Sequence, residues 1–364
     1  MAEMAVVDYI VVGQGISGSC LACELMRRGK KIAIFDGGWM GAACLVAAGV
    51  INPITGKRLV KSWRSADAHP YAKLFYGGLE AALGERFFRQ RKILQLCRSE
   101  QERELWLSRL SQAEYSGYIE ESLPAGHFEG LNDACGSYVV GKSAWVEAPA
   151  LMGAFRKFFK GERVLVEEEF CAQNLDRSGN FLRYADIEAG AVVFCEGWRA
   201  LENPFFSWLP WRPAKGEILE IEAGAHLPEY VVHRGNWIMK FGRGRFRIGS
   251  TWDRENLNDK PTERGRDSLL GAIPNILPGC SDFRVVGHSA GVRPCTATTR
   301  PHLGRHPQDG RLLCFNGFGS KGYALSPYFA RHFADFLEGK TELDKEADLS
   351  RHVGKFFRPR LWAL

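Results

Sequence analysis

One stretch near the start constrains this chain more than any other. Tyr9-Ile10-Val11-Val12, a short β-branched run, breaks into Gly13-Gln14-Gly15-Ile16-Ser17-Gly18. The run reads as a buried strand and the glycine hexad as the turn into a helix. Gly13 is expected to make the tight turn, Gly15 to let the backbone approach a pyrophosphate, and Gly18 to let helix and strand pack closely. The helix is predicted from about Ser17 to Arg28, with its N-terminal amides and positive dipole end at that phosphate. It stops on Arg27-Arg28-Gly29, cations at the negative end followed by a C-terminal glycine. A second strand, Lys31 to Phe35, then delivers Asp36, 21 residues after Gly15, where an acid can hydrogen-bond ribose hydroxyls. Together these features predict a dinucleotide-binding α/β unit. FAD and NAD bind through the same ADP half, so the fingerprint does not separate them, but an acid here disfavours a 2′-phosphate.

The chain has 364 residues, enough for two domains. Its 48 Lys and Arg against 42 Asp and Glu leave +6, a mild surplus that argues against a dedicated nucleic-acid binder. The longest nearly unbroken apolar run, Gly41 to Ile51, is too short for a membrane span of about 20 residues. No basic segment precedes an apolar one with a cleavage site, and ten cysteines accompany no secretory signal. The expectation is a cytoplasmic protein with free thiols.

Downstream, Gly37-Gly38-Trp39-Met40-Gly41-Ala42-Ala43 and Ala47-Ala48-Gly49-Val50-Ile51-Asn52-Pro53 suit a backbone lying flat against a ligand. Asp67 to Leu83 has a helical pattern, and Ser99 with Glu102 forms a capping box for a helix through Leu110. Strand-like pieces recur at Val164–Val166 and Ala191–Cys195. From Gly216 to Ser250 short alternating runs take over, with a hairpin signal at Gly242-Arg243-Gly244. This predicts an antiparallel sheet inserted between parts of an α/β domain. Near the end, Asn316 to Tyr323 forms a second glycine-rich turn. It precedes a helix whose apolar face is Phe329, Phe333, Phe336 and Leu337.

These pieces, in this order, resemble the D-amino-acid-oxidase-like superfamily of FAD enzymes, its glycine-oxidase branch most closely. Ala47-Ala48-Gly49-Val50 is similar to the family's Ala-Ala-Gly-Met stretch beside the flavin. Val192 to Trp198 is similar to its strand ending at FAD, and Pro213-Ala214-Lys215-Gly216-Glu217 to its Pro-Val-Lys-Gly-Glu. Ile248 to Thr251 is similar to its Gly-Ala-Thr turn. The sharpest resemblance is Ala290-Gly291-Val292-Arg293-Pro294, followed by Pro301 to Pro307. The resemblance implies a discontinuous Rossmann-like FAD domain (residues 1–80, 140–202 and 290–364) and an α+β substrate or cap domain (81–139 and 203–289). It implies FAD held by Gly13, Gly15, Ile16, Ser17, Gly18, Asp36, Ala48, Gly49, Val50, Phe170, Cys195, Glu196, Gly197, Gly291, Gly317, Gly319, Ser320, Lys321, Gly322 and Tyr323.

The implied activity is oxidation of a small amine or amino acid by hydride transfer to flavin N5. Arg293 would hold the substrate carboxylate bidentately, with Trp237 and Ile51 on the substrate side. The chain departs from the family pattern at three places. Trp237 stands where a tyrosine is expected, Thr298 where an aspartate is, and Ser320 where an arginine often is. Two other functions stay open beside the leading one. One is an oxidase acting on a carboxymethylaminomethyl group of tRNA wobble uridine. The other is a flavin-binding protein without turnover.

Four further features are read as structural. Cys20 and Cys23 lie inside the nucleotide-binding helix and are read as core packing. Cys295, in the region where a related branch attaches its flavin covalently, is read as a buried thiol. No His-Glu-x-x-His occurs, and no metal is expected. The basic and aromatic tail containing Arg351, Lys355, Arg358, Arg360 and Trp362 is read as packed and solvated.

Overall fold

The computed structural model describes residues 5–39, 41–56 and 58–359; Met40, Arg360 and Trp362, named above, lie outside them. The chain divides into two compact units, each assembled from separated stretches. One is Met1–Leu45, Pro149–Ala214 and Val292–Leu364; the other is Val46–Ala148 and Lys215–Gly291.

The first unit is built on a seven-stranded sheet. Its order is Leu165–Val166, Ile32–Phe35, Ala5–Val12, Ile187–Phe194, Leu312–Asn316 and His302–Arg305, with Leu182–Tyr184 added to Ile187–Phe194. The first five strands run parallel. Parallel strands are covered on both faces, so they read as unbroken apolar runs rather than alternations. Ile10 to Val12, Ile32 to Phe35 and Val192 to Phe194 are buried accordingly. On one side the helix Ile16–Arg27 packs against the helix Gly322–Leu337. The two are tied by Arg28, which reaches Glu24, Asp335 and Glu338 at 2.7, 2.8 and 2.6 Å. Elsewhere Phe35, Phe170, Tyr184, Phe194, Phe205 and Phe206 belong to one aromatic-rich core. Register sets Val12 level with Phe35 and Phe194, and Phe194 level with Cys314. The residues that follow therefore cross a common carboxyl edge, the place where open parallel sheets bind ligands.

The second unit is built on an eight-stranded sheet. The order is Phe283–Arg293, Ala214–Ala223, Arg245–Gly249, Asn236–Gly242, Val231–Arg234, Ile93–Leu96, Ser137–Val140 and Ile119–Leu123. The two junction strands Val231–Arg234 and Ile93–Leu96 pair in parallel, while the hairpins on either side are antiparallel. Alternation sorts the residues by face. Leu94, Leu96, Leu219, Ile221, Ile238 and Ile248 form a core with Leu269 and Ile273 of the helix Glu263–Ile276. Ile93, Tyr138, Val140, Val231 and Met239 join a separate core with Trp106.

The capping box is present with one change. Ser99 accepts the Glu102 amide at 3.3 Å, but the Glu102 carboxylate bonds the amide of Arg98. The hairpin turns at Arg243-Gly244, with Gly242 paired to Arg245. Among the described residues no helix is long and apolar enough to cross a membrane.

Candidate active site

At the carboxyl edge of the first unit, the three glycines of the hexad differ in what demands them. Gly13 has φ +97°, and a Cβ there would stand 2.8 Å from the Cys195 carbonyl oxygen. A Cβ on Gly18 would overlap the carbonyl of Gly13. Gly15 is hemmed in by nothing nearer than the Cys44 sulfur, 3.8 Å from where its Cβ would lie. Two glycines are thus required by the chain's own packing, and the third leaves open the approach a ligand needs. Gly15 is also the N-cap of Ile16–Arg27, with no side-chain cap and no acid in the first turn. A helix start left without a side-chain acceptor suits a pyrophosphate. Burial pushes the Cys44 thiol up to about 11, against the lowering effect of the Ile16 main chain. Ser17 and Gly18 are buried behind this turn.

Asp36 sits at the same edge. Its carboxylate accepts the Gln14 amide at 2.8 Å, the Gly38 amide at 2.8 Å and Arg156 at 3.1 Å. A carboxylate has about four acceptor sites, so room remains for a ribose hydroxyl. Arg156 was not foreseen. It comes from the helix Ala148–Gly161, and nothing local in sequence links it to Asp36. Cys195 is buried, and its amide donates to Val12. Glu196 is half-buried and accepts Asn203 Nδ2 at 2.7 Å. Burial pushes the Glu196 carboxyl up to about 7, against the lowering effect of Asn203 and Arg199. The Gly197 carbonyl accepts the buried Asn316 side chain at 2.8 Å. Phe170 stacks on Tyr184 with centroids 4.0 Å apart, so its ring is committed to the core and its main chain is what it can offer a cofactor.

The C-terminal loop belongs to this unit as well. Gly319 donates to Pro294 at 3.2 Å, and a Cβ on Gly319 would touch Cys295 Sγ at 3.4 Å. This joins the Arg293-Pro294-Cys295 segment to the Gly317–Gly322 turn. Cys295 is half-buried rather than buried, because it faces this turn instead of the sheet core. Arg293 ends the strand Phe283–Arg293, and burial pushes its guanidinium below the usual value. Lys321 is half-buried and shifted down by burial and by Arg300, while Ser320 is exposed. A Cβ on Gly322 would press on Ile16 at 2.9 Å, and the Tyr323 hydroxyl donates to the Cys44 carbonyl at 2.5 Å. The two helix starts and the Cys44 segment therefore meet within one unit.

In the second unit Ala48 and Gly49 are clamped to the strand Ala144–Val146. Trp145 Nε1 donates to the Ala48 carbonyl at 2.9 Å and the Val146 amide to Gly49 at 2.9 Å. Gly49 has φ +72°, and a Cβ there would overlap the Val146 carbonyl. Val50 and Ile51 continue as a strand paired with Trp145 and Ala144. Trp145 itself lies beneath the guanidinium groups of Arg89 and Arg91. Trp237 pairs with Gly249, whose missing side chain leaves room for the indole. Gly291 is buried in its strand. Glu217, quoted above only as part of a motif, proves to be the centre of a polar cluster. It accepts the Thr262 amide at 2.9 Å and the Thr262 hydroxyl at 2.8 Å, with His288 Nε2 lying 2.8 Å and Lys215 Nζ 3.8 Å from it.

No group of three or more potential metal ligands occurs among the described residues. His302 and His306 lie four residues apart but serve packing, His302 against Trp211 and His352, His306 against Phe206 and Phe357. Phe357 of the tail also packs on Trp208.

A parallel sheet with a glycine turn, an open helix start and an acid at one carboxyl edge defines a dinucleotide-binding protein of the doubly wound class. Residues 8–336 match the DAO family, FAD dependent oxidoreductase, and the chain belongs to that family. It is 28% identical to the glycine oxidase of Bacillus licheniformis, over 92% of this chain and 95% of that protein. It is 27% identical to the glycine oxidase of Bacillus subtilis (strain 168), over 92% and 93%. The crystal structure of glycine oxidase from Geobacillus kaustophilus superposes with a TM-score of 0.83, at 23% identity, covering 96% of this chain and all of that one. The protein is an FAD-dependent oxidoreductase.

Proposed function

We propose that this oxidoreductase acts on the CH–NH or CH–NH2 group of a small amine or amino acid. The first unit carries FAD at its glycine turn and Asp36. FAD, when bound, supplies the two-electron acceptor, with N5 receiving the hydride that leaves the carbon bearing the amine. Arg293 binds the substrate carboxylate through two parallel hydrogen bonds and so fixes the C–H bond in one direction. Positioning of this kind is where the protein contributes most to such a reaction. Lys321 adds positive charge to the cofactor loop. A substrate arriving with a neutral amine needs no side-chain base, and the imine product hydrolyses in water.

The observation that carries the reading is Arg293. It ends a strand in the family-matched segment, and it is partly withdrawn from water yet permanently charged. The test is an anaerobic screen in which glycine, sarcosine, D- and L-amino acids and simple amines are added to the yellow protein and loss of flavin absorbance is followed. Bleaching by a carboxylated amine, slowed about 10²–10³-fold in Arg293→Ala, is the expected result for loss of a buried charge pair. Equal bleaching by amines with and without a carboxylate, unchanged in the variant, would remove Arg293 from the mechanism. A flavin reduced by none of these compounds would point instead to a substrate carried on a larger molecule.

A further inference from the structure

Two acids stand at the carboxyl edge of the first unit, and they are supplied very differently. Asp36 takes three donors. Glu196 takes one, and the geometry around that donor is fixed. Asn203 Oδ1 accepts the amides of Phe205 and Phe206 at 2.8 and 3.1 Å, so the side-chain amide cannot turn over. Its Nδ2 must therefore point at Glu196 Oε2, 2.7 Å away. Glu196 also adjoins the glycine hexad directly. A Cβ on Gly13 would lie 3.5 Å from Glu196 Cα.

The charged and titratable groups around Glu196 are few. On its own turn, Arg199 lowers its pKa and Glu202 raises it. Arg199 is partly engaged elsewhere, with Glu169 at 2.5 Å. Cys195, the preceding residue, and Cys314 of the neighbouring strand both feel its charge, and burial keeps both thiols protonated. Burial outweighs the rest and brings the carboxyl to about 7. A diphosphate arriving at the hexad adds negative charge beside it. An ionised carboxylate there is repelled, whereas a protonated one can donate.

We propose that Glu196 carries a proton when FAD is bound and donates a hydrogen bond through it to an oxygen of the cofactor's phosphate–ribose stretch, so that wherever Glu196 is ionised in the free protein, FAD binding takes up one proton. This rests on the reading that Glu196 faces the cofactor. Because the bound diphosphate raises the group's proton affinity further, FAD binds most tightly below about pH 7. Above that its affinity falls by up to about tenfold per pH unit, the slope of one proton.

The experiment uses the holoenzyme. It is diluted serially between pH 6 and pH 9, and released FAD is read as the flavin fluorescence that returns. Wild type should give a Kd flat below pH 7 and rising about tenfold per unit above it. Glu196→Gln donates through its amide at every pH, so its Kd should stay within about threefold of the wild-type low-pH value and remain flat to pH 9. A tenfold loss of affinity in Glu196→Gln at pH 6 would mean the carboxylate is needed as an acceptor and would overturn the proposal. A wild-type pH profile surviving in Glu196→Gln would overturn it too, by assigning the proton to another group. Glu196→Gln and Glu196→Ala both matching wild type at every pH would show that Glu196 does not face FAD. A wild-type protein that holds no FAD at any pH would instead undo the cofactor assignment itself.

Discussion

Glu196 in the first unit is a half-buried carboxylate and Glu217 in the second a buried one, and their surroundings differ more than their burial. Glu217 is met by two donors from Thr262, by His288 and by the fully buried ammonium of Lys215. Lys215 in turn donates to Asn258 at 3.0 Å and to the Lys260 carbonyl. Thr262 is the N-cap of the helix Glu263–Ile276, so this cluster pins a helix to a sheet. Glu196 has Asn203 and stands at the carboxyl edge of the parallel sheet. A carboxylate whose acceptor sites are filled from within is part of the architecture. One left undersupplied beside a glycine turn is available to something that arrives later.

The largest way to break this comparison is Glu217→Ala, which leaves Lys215 buried without its carboxylate. Loss of about 3–5 kcal/mol is expected, read by chemical denaturation, whereas Glu196→Ala should leave the midpoint nearly unmoved. If the two substitutions cost the same, the distinction fails.

Next in size is the response to acid. Burial holds His302 at about 3 and His306 and His352 at about 4 in the first unit, and His233 at about 4 in the second. Their folded pKa values lie below the ordinary 6.5, so the unfolded chain binds protons first. The stability they contribute is complete above pH 6.5 and is lost as pH falls toward 4. Each proton is worth about 1.4 kcal/mol per pH unit. His302 and His352 touch and titrate as a pair, so about 2–3 kcal/mol over the first unit of pH is expected. Hydrogen exchange at pH 7 and 5.5 should show the first unit's strands losing more protection than the second's.

Gly18→Ala comes third, with about 1–3 kcal/mol lost to overpacking against Gly13 and a marked loss of retained FAD. The smallest effect has the opposite sign. Gly77 lies in the helix Ser65–Leu83, where a Cβ meets nothing within 4 Å. Gly77→Ala should raise stability by about 0.5–1 kcal/mol, visible as a small rise in Tm with FAD content unchanged.

The same contrast explains what the sequence could and could not tell. The strand, hexad, helix and Asp36 were legible because glycines and apolar runs signal backbone shape over a few residues. The capping box at Ser99 and the turn at Arg243-Gly244 were legible for the same reason. The inserted antiparallel sheet showed through its period-two runs. Arg156 on Asp36, Trp145 on Ala48 and Thr262 on Glu217 were not legible, because each pairing is made by tertiary packing between residues 45 to 120 positions apart. Asn203 lies close to Glu196 in sequence, but its orientation is set by two main-chain amides that no residue pattern announces.

The central strand of the parallel sheet, Ile187–Phe194, has Ala5–Val12 on one side and Leu312–Asn316 on the other. During vectorial synthesis the first of these leaves the ribosome well before its partner exists. At roughly 5–20 residues per second the wait is on the order of 10–40 s, and the last parallel neighbour follows after roughly two thirds of that interval again. Until Ile187–Phe194 has emerged, the glycine hexad has no Cys195 carbonyl against which to close. The hexad therefore cannot close before about half of this chain has been made, and until then it must stay out of aggregates.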